Sequence, residues 1–484
     1  MGAAALAFAF LGASPAAAGV ADPDSSFGQG GSASVHFDGV ASADAIAVAP
    51  DGDLVVVGSV EGVDGHTDFA IARLNPDGTL DPGFSGDGRL TLDLSEGGDD
   101  AATGVAIRPD GRIVVGGVSS DRFVVLQLLT DGTPDGDFAG DGTSEPAFGE
   151  GGAAYARDLV LDAGGNVVVV GSGESEVGGG RDAAMARLTP EGQLDESFAG
   201  DGTLTVGMDT EGFESSDSAA AVSVLADGDL AIAGDHFQAP DGNGLLGRVD
   251  GDGSVETLKS LGSGRFYAAS DVATVADGTP LAVGHFQPHG APGGSALAWA
   301  LDPSGQADSR EFTAESGAAL RARARTVAAL DDGRAVIGGA IGDAGALWLF
   351  DPGSSDGFVA SGEVAFTPND VAETDGKVVA AGGSPEFTVA RFLPPTIGPP
   401  SAPETKIVSG PRGKVAAAKL KFRFRSRSSD ASFECKLDGR RWRRCASPYR
   451  LRSVAEGRHR FKVRAVSSDG KRDPTPAKRR FTVG

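Results

Sequence analysis

At 484 residues the chain is too long for one ordinary compact domain unless it is built from repeats. Gly (74) and Pro (26) make up about a fifth of it, below the level at which composition alone signals disorder, and the glycines recur at intervals as turn residues do. The net charge of −25 hides a split: residues 404–484 hold 24 Lys and Arg against 7 Asp and Glu, the remainder 18 against 60. An acidic body of that size excludes nucleic acid and anionic membranes as its partners. The basic end is suited to an anionic polymer or to the chain's own acidic part.

Residues 1–18 run from an apolar stretch, Ala3 to Leu11, into Ala16-Ala17-Ala18. This is the apolar region and small-residue cleavage pattern of a secretory signal peptide, here without the usual basic start. The mature protein is therefore expected outside the cell, secreted or at the surface. No later segment approaches 18 consecutive apolar residues, so no membrane span is expected.

One pattern then recurs: an alternating apolar segment, an Asp-Gly or Gly-Gly turn, a Val/Ile-rich segment and a Gly. It reads AIAVAPDGDLVVVG at 45–58 and GVAIRPDGRIVVGG at 104–117, and recurs at 159–171, 222–234, 272–284, 327–339 and 371–383. Its turns lie at Asp51, Asp110, Gly164, Asp227, Asp277, Asp332 and Asp375, spaced 43 to 63 residues apart. Asp-Gly tolerates the positive φ of a tight hairpin, and β-branched flanks favour strands. A second hairpin follows in each copy, as in FAIARLNPDGTLDPGFSGDGRLTLDL at 69–94. Four strands per unit, seven times over, predict an all-β fold: a seven-bladed β-propeller over residues 22–393. The region opens and ends in mid-unit. SASVHFD (32–38) supplies the strand that FTVARF (387–392) lacks, so the N-terminal strand is expected to close the ring and remove two sheet edges.

PDGxIVVxG followed by FAxARLNPDGxLDxxFxxxG resembles the delta-60 repeat family of bacterial propellers, exported proteins of unassigned molecular function. The resemblance implies a fold and a location, and no catalytic residue.

LPPTIGPPSAPE marks a Pro-rich linker at 394–403. Short alternating strands after it, such as LKFRFRSR (420–427) and HRFKVRAV (459–466), predict a small basic Ig-like β-sandwich over 404–484. FECKLDGRRWRRCASP together with the stretch from Glu456 to Val483 is similar to the Ig-like or fibronectin-like modules of exported actinobacterial proteins, with many extra Arg residues. Cys435 and Cys445, nine residues lying between them, are expected to pair in an exported chain. A zinc site there would need more ligands.

Arg73, Arg187, Arg248 and Arg391 recur at one place in the second hairpin, with Asp24, Asp81, Asp135 and Asp195 nearby. These are read as repeated structural Arg–carboxylate contacts; the competing reading is a ligand-recognising ring of charge. Gly-Asp-Gly at 86–88, 140–142 and 200–202, beside Gly97-Gly98-Asp99-Asp100, offers Ca²⁺ some carboxylates but is also plain turn chemistry. His236-Phe237-Gln238 and His285-Phe286-Gln287, with His289, fall at nearly one point of adjacent blades and read as duplicated loop residues in preference to metal ligands. Only Trp299 and Trp348 are available in the propeller to stack on sugars or quinones. No resident cofactor and no catalytic residue are assigned. The reading is a monomeric, non-enzymatic binding or display scaffold. Its ligand would be an extracellular protein or glycan, with anionic cell-wall polymer contacting the basic module. The alternatives are an extracellular carbohydrate-active hydrolase or lyase, and a structural envelope component.

Overall fold

The computed structural model describes residues 20–95, 97–148, 152–174, 180–208, 215–238, 241–261, 266–276, 278–287, 295–301, 307–312, 322–352, 358–394, 405–411, 413–415, 420–426, 432–451, 454–466, 472 and 476–484. The expected signal peptide, nearly all of the expected linker, Asp277 and His289 lie outside them. The chain divides into two compact units, residues 18–396 and residues 397–484, the latter grouped with 1–17. Among the described residues every regular element is a strand, and no helix is long and apolar enough to cross a membrane.

The larger unit consists, among the described residues, of antiparallel four-stranded groups, numbered here in chain order. Sheet 1 holds Ala41–Val48, Leu54–Glu61, Thr67–Leu74 and Arg89–Leu92; sheet 2 holds Asp100–Ile107, Ile113–Ser119, Arg122–Leu128 and Thr143–Ser144. Sheet 3 holds Ala154–Leu161, Val167–Glu174, Arg181–Leu188 and Thr203–Val206; sheet 4 holds Ser216–Val224, Leu230–Gln238, Asp241–Val249 and Val255–Leu261. A single pairing, Arg181 with Ser216, joins these two. Sheet 5 holds Phe266–Thr274, Pro280–Gln287, Ser295–Leu301 and Ala307–Phe312; sheet 6 holds Ala322–Ala329, Ala335–Ile341, Ala344–Phe350 and Phe358–Val364. Sheet 7 holds Pro368–Thr374, Lys377–Gly382 and Phe387–Phe392, and its fourth strand is Ser32–Val35 from the far end of the unit, with Ser32 opposite Ala390 and Val35 opposite Phe387.

The apolar core lies between the sheets. Leu54 and Val56 pack towards Val379 and Phe387 of sheet 7, while Val55 and Val57, on the other face of the same strand, pack towards Ile113 and Val115 of sheet 2. Each second strand is therefore covered on both faces, which is why it reads as an unbroken run of Val and Ile. Fully burying each such side chain is worth roughly 1.5–3 kcal/mol. Equivalent clusters join sheets 2 and 3, 3 and 4, 4 and 5, 5 and 6, and 6 and 7. The first strands of successive sheets lie side by side, and that of sheet 7 lies against that of sheet 1.

The Gly that ends each Val/Ile-rich segment has a steric cause. A Cβ on Gly58 would sit 1.9 Å from the carbonyl oxygen of Ser42, and one on Gly234 1.9 Å from that of Ser218. The first strand carries a one-residue bulge at that level, which brings its backbone in close.

The smaller unit has a three-stranded sheet (Thr405–Ser409, Leu420–Ser426, Tyr449–Leu451) and a five-stranded one (Gly413–Val415, Ala477–Val483, Gly457–Val466, Ser432–Leu437, Arg443–Cys445). Phe422, Phe424, Phe461 and Phe481 fill the space between them. Cys435 and Cys445 are disulfide-bonded.

Candidate functional site

At the end of the sheets where the first and second strands are joined, the repeated charges hold the turns. Asp51, Asp110, Asp227 and Asp332 each accept the N–H two residues on through Oδ1. The positive φ there falls on the following Gly, as at Gly52 (88°). Among the described residues, only in the last copy does the aspartate, Asp375 (52°), take positive φ itself, because that turn is shorter by one residue. The aspartates of the Gly-Asp-Gly segments, Asp87, Asp141 and Asp201, accept N–H groups in the same local way.

Arg73 donates to Asp53 (2.9 Å) and Asp51 (2.8 Å), lies 3.2 Å from Asp81, and reaches the Thr130 carbonyl of sheet 2 at 2.9 Å. Arg187 pairs with Asp195 at 2.8 Å and reaches the Gly251 carbonyl of sheet 4 at 2.6 Å. Arg391 pairs with Asp24 at 2.9 Å and reaches the Pro76 carbonyl of sheet 1. Each guanidinium thus binds its own sheet's carboxylate and the second residue of the next sheet's turn. A backbone bond runs beside each: Ser85 to Asp131, Ala199 to Asp252 and Gly28 to Asp77. In sheet 2 the arginine position is Gln127. There Arg108, from the first strand, donates to Gln127 (2.6 Å) and to Gly165 (2.7 Å) and Pro190 (3.3 Å) of sheet 3, while Gln127 donates to Asp135. Arg248 of sheet 4 stays within its sheet, on Asp227, Asp229 and Glu256. Lys377 and Ser26 bonding to Asp24, with the Arg391 charge, hold that carboxyl well below its usual range.

Beyond the turns, three aspartates that sequence reading missed follow the bulge of their first strands. Asp158 accepts N–H groups from Leu159 and from Val222 of sheet 4; Asp271 from Val272 and from Val327 of sheet 6; Asp370 from Val371 and from Ile46 of sheet 1. Burial pushes Asp158 up to about 7, Asp370 to about 6, and Asp271 well above the usual range, Asp158 and Asp370 adding their charge to the last. Both oxygens of each are used on main chain, so these groups act as braces between neighbouring sheets.

The bulged residues themselves are Asp44, Thr103, Arg157, Ala220, Ser270, Arg325 and Asn369. Their side chains meet across sheets. Arg325 donates to Asn369 (2.7 Å), Asn369 to the Ala43 carbonyl (2.8 Å), and Thr103 to the Ala156 carbonyl (3.3 Å). Burial raises Asp44 to about 6 against the pull of Arg325, and raises Asp235 to about 6 against that of Arg157. One buried oxygen of Asp235 has no hydrogen-bond partner. Burial, with the charges of Arg323 and Arg325, depresses His285 to about 4.

His236 and His285 are not equivalent. Asp235, not His236, corresponds to His285, since each follows the Gly opposite the bulge. The one-residue offset puts the imidazoles on opposite faces of their sheets. His236 is buried on Asp217 at 2.5 Å. Trp299 and Trp348 are core residues, each 3% exposed. Asp68, Asp93 and Asp100 bring one carboxylate oxygen each within 4.8 Å of one another beside the Gly97–Asp100 loop. Asp100 is already occupied by the N–H groups of Leu94 and Ser95 and by the Ser95 hydroxyl.

A model described as a domain of unknown function (DUF5122) beta-propeller matches residues 49–84, 108–138 and 165–198. These three segments match DUF5122 β-propeller repeats. The matched segments run from the first turn of sheets 1, 2 and 3 through the Arg positions to Phe84, Phe138 and Phe198, all fully buried. No curated protein matches the chain in sequence. Among solved structures it is similar to puromycin hydrolase (16% identity, TM-score 0.45, 79% of this chain and 58% of that one). It is also similar to polysaccharide lyase Uly1 (11%, 0.44, 72% and 89%). A third likeness is to the extracellular domain assigned to the hybrid two component system BT3049 of B. thetaiotaomicron (11%, 0.31, 91% and 68%). Likeness at that level carries no statement about activity.

Proposed function

We propose that the chain is an exported, non-enzymatic binding or display scaffold: a closed seven-bladed propeller over residues 22–393 that reads its ligand through the bulged positions of its innermost strands. Residues 1–18 direct export, 394–403 are a linker, and 404–484 form a basic Ig-like module that holds the protein to an anionic envelope polymer. The pairing of Ser32–Val35 with Phe387–Phe392, and the apolar clusters that link each sheet to the next and sheet 7 to sheet 1, support closure of the ring.

The observation that carries the functional reading is the chemistry at the bulge. The position is fixed by the same backbone geometry in each sheet, yet it holds Asp, Thr, Arg, Ala, Ser, Arg and Asn in turn. Positions that serve the frame, such as the Gly opposite, do not vary in this way. A two-carboxylate hydrolase is disfavoured. The aspartates that feel one another's charge, Asp158, Asp271 and Asp370, spend their oxygens on main-chain N–H groups. Asp44 and Asp235 are each set by burial and an arginine, not by each other.

The test is a glycan and envelope-polymer binding screen on the full-length protein beside its Arg157→Gln, Arg325→Gln and Asp77→Asn variants. A ligand lost with either arginine and kept with Asp77→Asn, at the turn end, supports the reading. Turnover of a polysaccharide, abolished by Asp44→Asn or Asp235→Asn, would replace it with the enzyme reading.

A further inference from the structure

The outer face of the five-stranded sheet in the smaller unit is built from opposed cations. Along Gly457–Val466 the side chains of Phe461, Val463 and Ala465 turn inward, leaving Arg458, Arg460 and Lys462 on the other face. Lys462 stands opposite Lys436 on one side and Lys478 on the other, and Arg460 stands opposite Arg480. Among the described residues none of these six cations has an ion pair. The acids nearest them are taken: Glu434 by Arg464 at 2.7 Å and Arg472 at 3.5 Å, Asp438 by His459 at 3.0 Å. Partial desolvation and the charges of Lys436, Lys478 and Arg460 depress Lys462. A concavity of about 880 Å³ opens beside the rows, lined by Gly413, Lys436, Arg458, Lys462, Arg480 and Thr482 among others.

Like charges directly opposite one another destabilise a sheet. Folding therefore gives no reason for this face; a ligand that neutralises it does. Resting on the reading of the module as an envelope anchor, we propose that Lys436, Arg458, Arg460, Lys462, Lys478 and Arg480 form a docking face for one linear phosphodiester polymer of polyol units. Neighbouring cations lie about 5 Å apart across strands and about 7 Å apart along one, a grid suited to a chain of closely spaced phosphates. Three lysine ammonium groups offer point charges and three arginine guanidiniums offer forked donors, and both suit phosphate oxygens. The Trp442 ring is already engaged by Lys436 (4.6 Å) and Arg464 (4.3 Å).

The experiment titrates the full-length protein with polyglycerol phosphate, polyglucuronate and single-stranded DNA of matched charge. The polyglycerol phosphate is expected to bind tightest, and its affinity to fall about a hundredfold or more between about 50 and 200 mM salt if six phosphates are engaged. Lys462→Gln with Arg480→Gln should weaken it roughly tenfold and lower the salt slope by about 1.4. Arg423→Gln with Arg425→Gln removes equal charge from the three-stranded sheet and should leave affinity within about twofold, because the loss is then off the face. Equal losses from the two pairs would overturn the docking face while leaving the module an unspecific anchor. Tighter binding of polyglucuronate or DNA would overturn the phosphodiester assignment. Absence of any binding would remove both the face and the anchor. A salt-dependent sedimentation coefficient that vanishes in the Lys462→Gln, Arg480→Gln variant would instead make the chain's own acidic unit the occupant, also against the proposal.

Discussion

Replacing Arg73 by Met tests whether the repeated arginines fasten one sheet to the next. The substitution keeps the length of the stem and removes only the guanidinium. Arg73 is 6% exposed and serves three carboxylates and one carbonyl. The Asp51 side chain is 57% exposed, so that pair contributes little after solvent screening. The charged bonds to Asp53 and to Thr130 are worth about 1.5–3 kcal/mol each, which gives a loss of about 3–6 kcal/mol. The effect has a pH signature. Burial already raises Asp53, with Arg73 opposing and Asp51 and Asp81 adding repulsion. Without Arg73 the folded state holds protons that the unfolded state has released, so stability should fall more steeply as pH rises from about 4 to 7 than in the parent. Urea unfolding by circular dichroism gives the loss. Native-state hydrogen exchange at Leu54–Glu61 and Ile113–Ser119 locates it. A loss below about 1 kcal/mol with an unchanged pH slope would refute the reasoning.

The braces make a second case: Asp370→Ala strands the N–H group of Ile46, while Val371 keeps the Thr326 hydroxyl as acceptor, and should cost about 1–3 kcal/mol in urea unfolding. Because Asp158, Asp271 and Asp370 are raised, the folded chain keeps protons that the unfolded chain has released, so stability should decline as pH rises from about 4 to 7, and Asp158→Asn should flatten that decline in thermal melts. Side-chain NMR should find His285 titrating near pH 4 and His459 above the usual imidazole range, the latter through its bonds to Asp438 and the Ala455 carbonyl; the reverse order would contradict both placements. Reducing the Cys435–Cys445 bond, which closes a short loop, should destabilise the smaller unit by about 2–3 kcal/mol in a chain-entropy account, and leave the Trp299 and Trp348 transition of the larger one unmoved.

What could be read from the residues was whatever repeats locally. Asp-Gly turns and Val/Ile runs gave the hairpins, and matching ends gave the pairing of Ser32–Val35 with Phe387–Phe392. The first strand's bulge was missed because it lies one or two residues ahead of the recognisable motif and its residue types differ. A faint signal was present: Ala43, Ala102, Ala156, Ala219, Ala269 and Ala324 each precede the bulged residue, with Pro368 in the last copy. The Arg108–Gln127 exchange was invisible because a guanidinium arriving from the neighbouring strand performs the same bond without occupying the same repeat position. The offset of His236 from His285 is a register matter. One residue decides the face, and the repeated His-Phe-Gln concealed it.

The placement of constant and variable residues explains how one repeat can keep its frame while its bulged residue changes. At the turn end, bonds from Arg391, Arg73, Arg108 and Arg187 cross from sheet 7 to 1, 1 to 2, 2 to 3 and 3 to 4, and their carbonyl partners do not depend on side-chain identity. Any residue can therefore fill the gripped turn position, and Pro76, Thr130, Pro190 and Gly251 do. Away from the turns, the bulge lets one side chain per first strand leave the alternation that packs the core. Substituting it changes neither the apolar clusters nor the arginine bonds at the turn end. The fold thereby separates the positions that must stay constant for stability from the positions at which new chemistry costs little, which is where the proposed binding function places ligand selectivity.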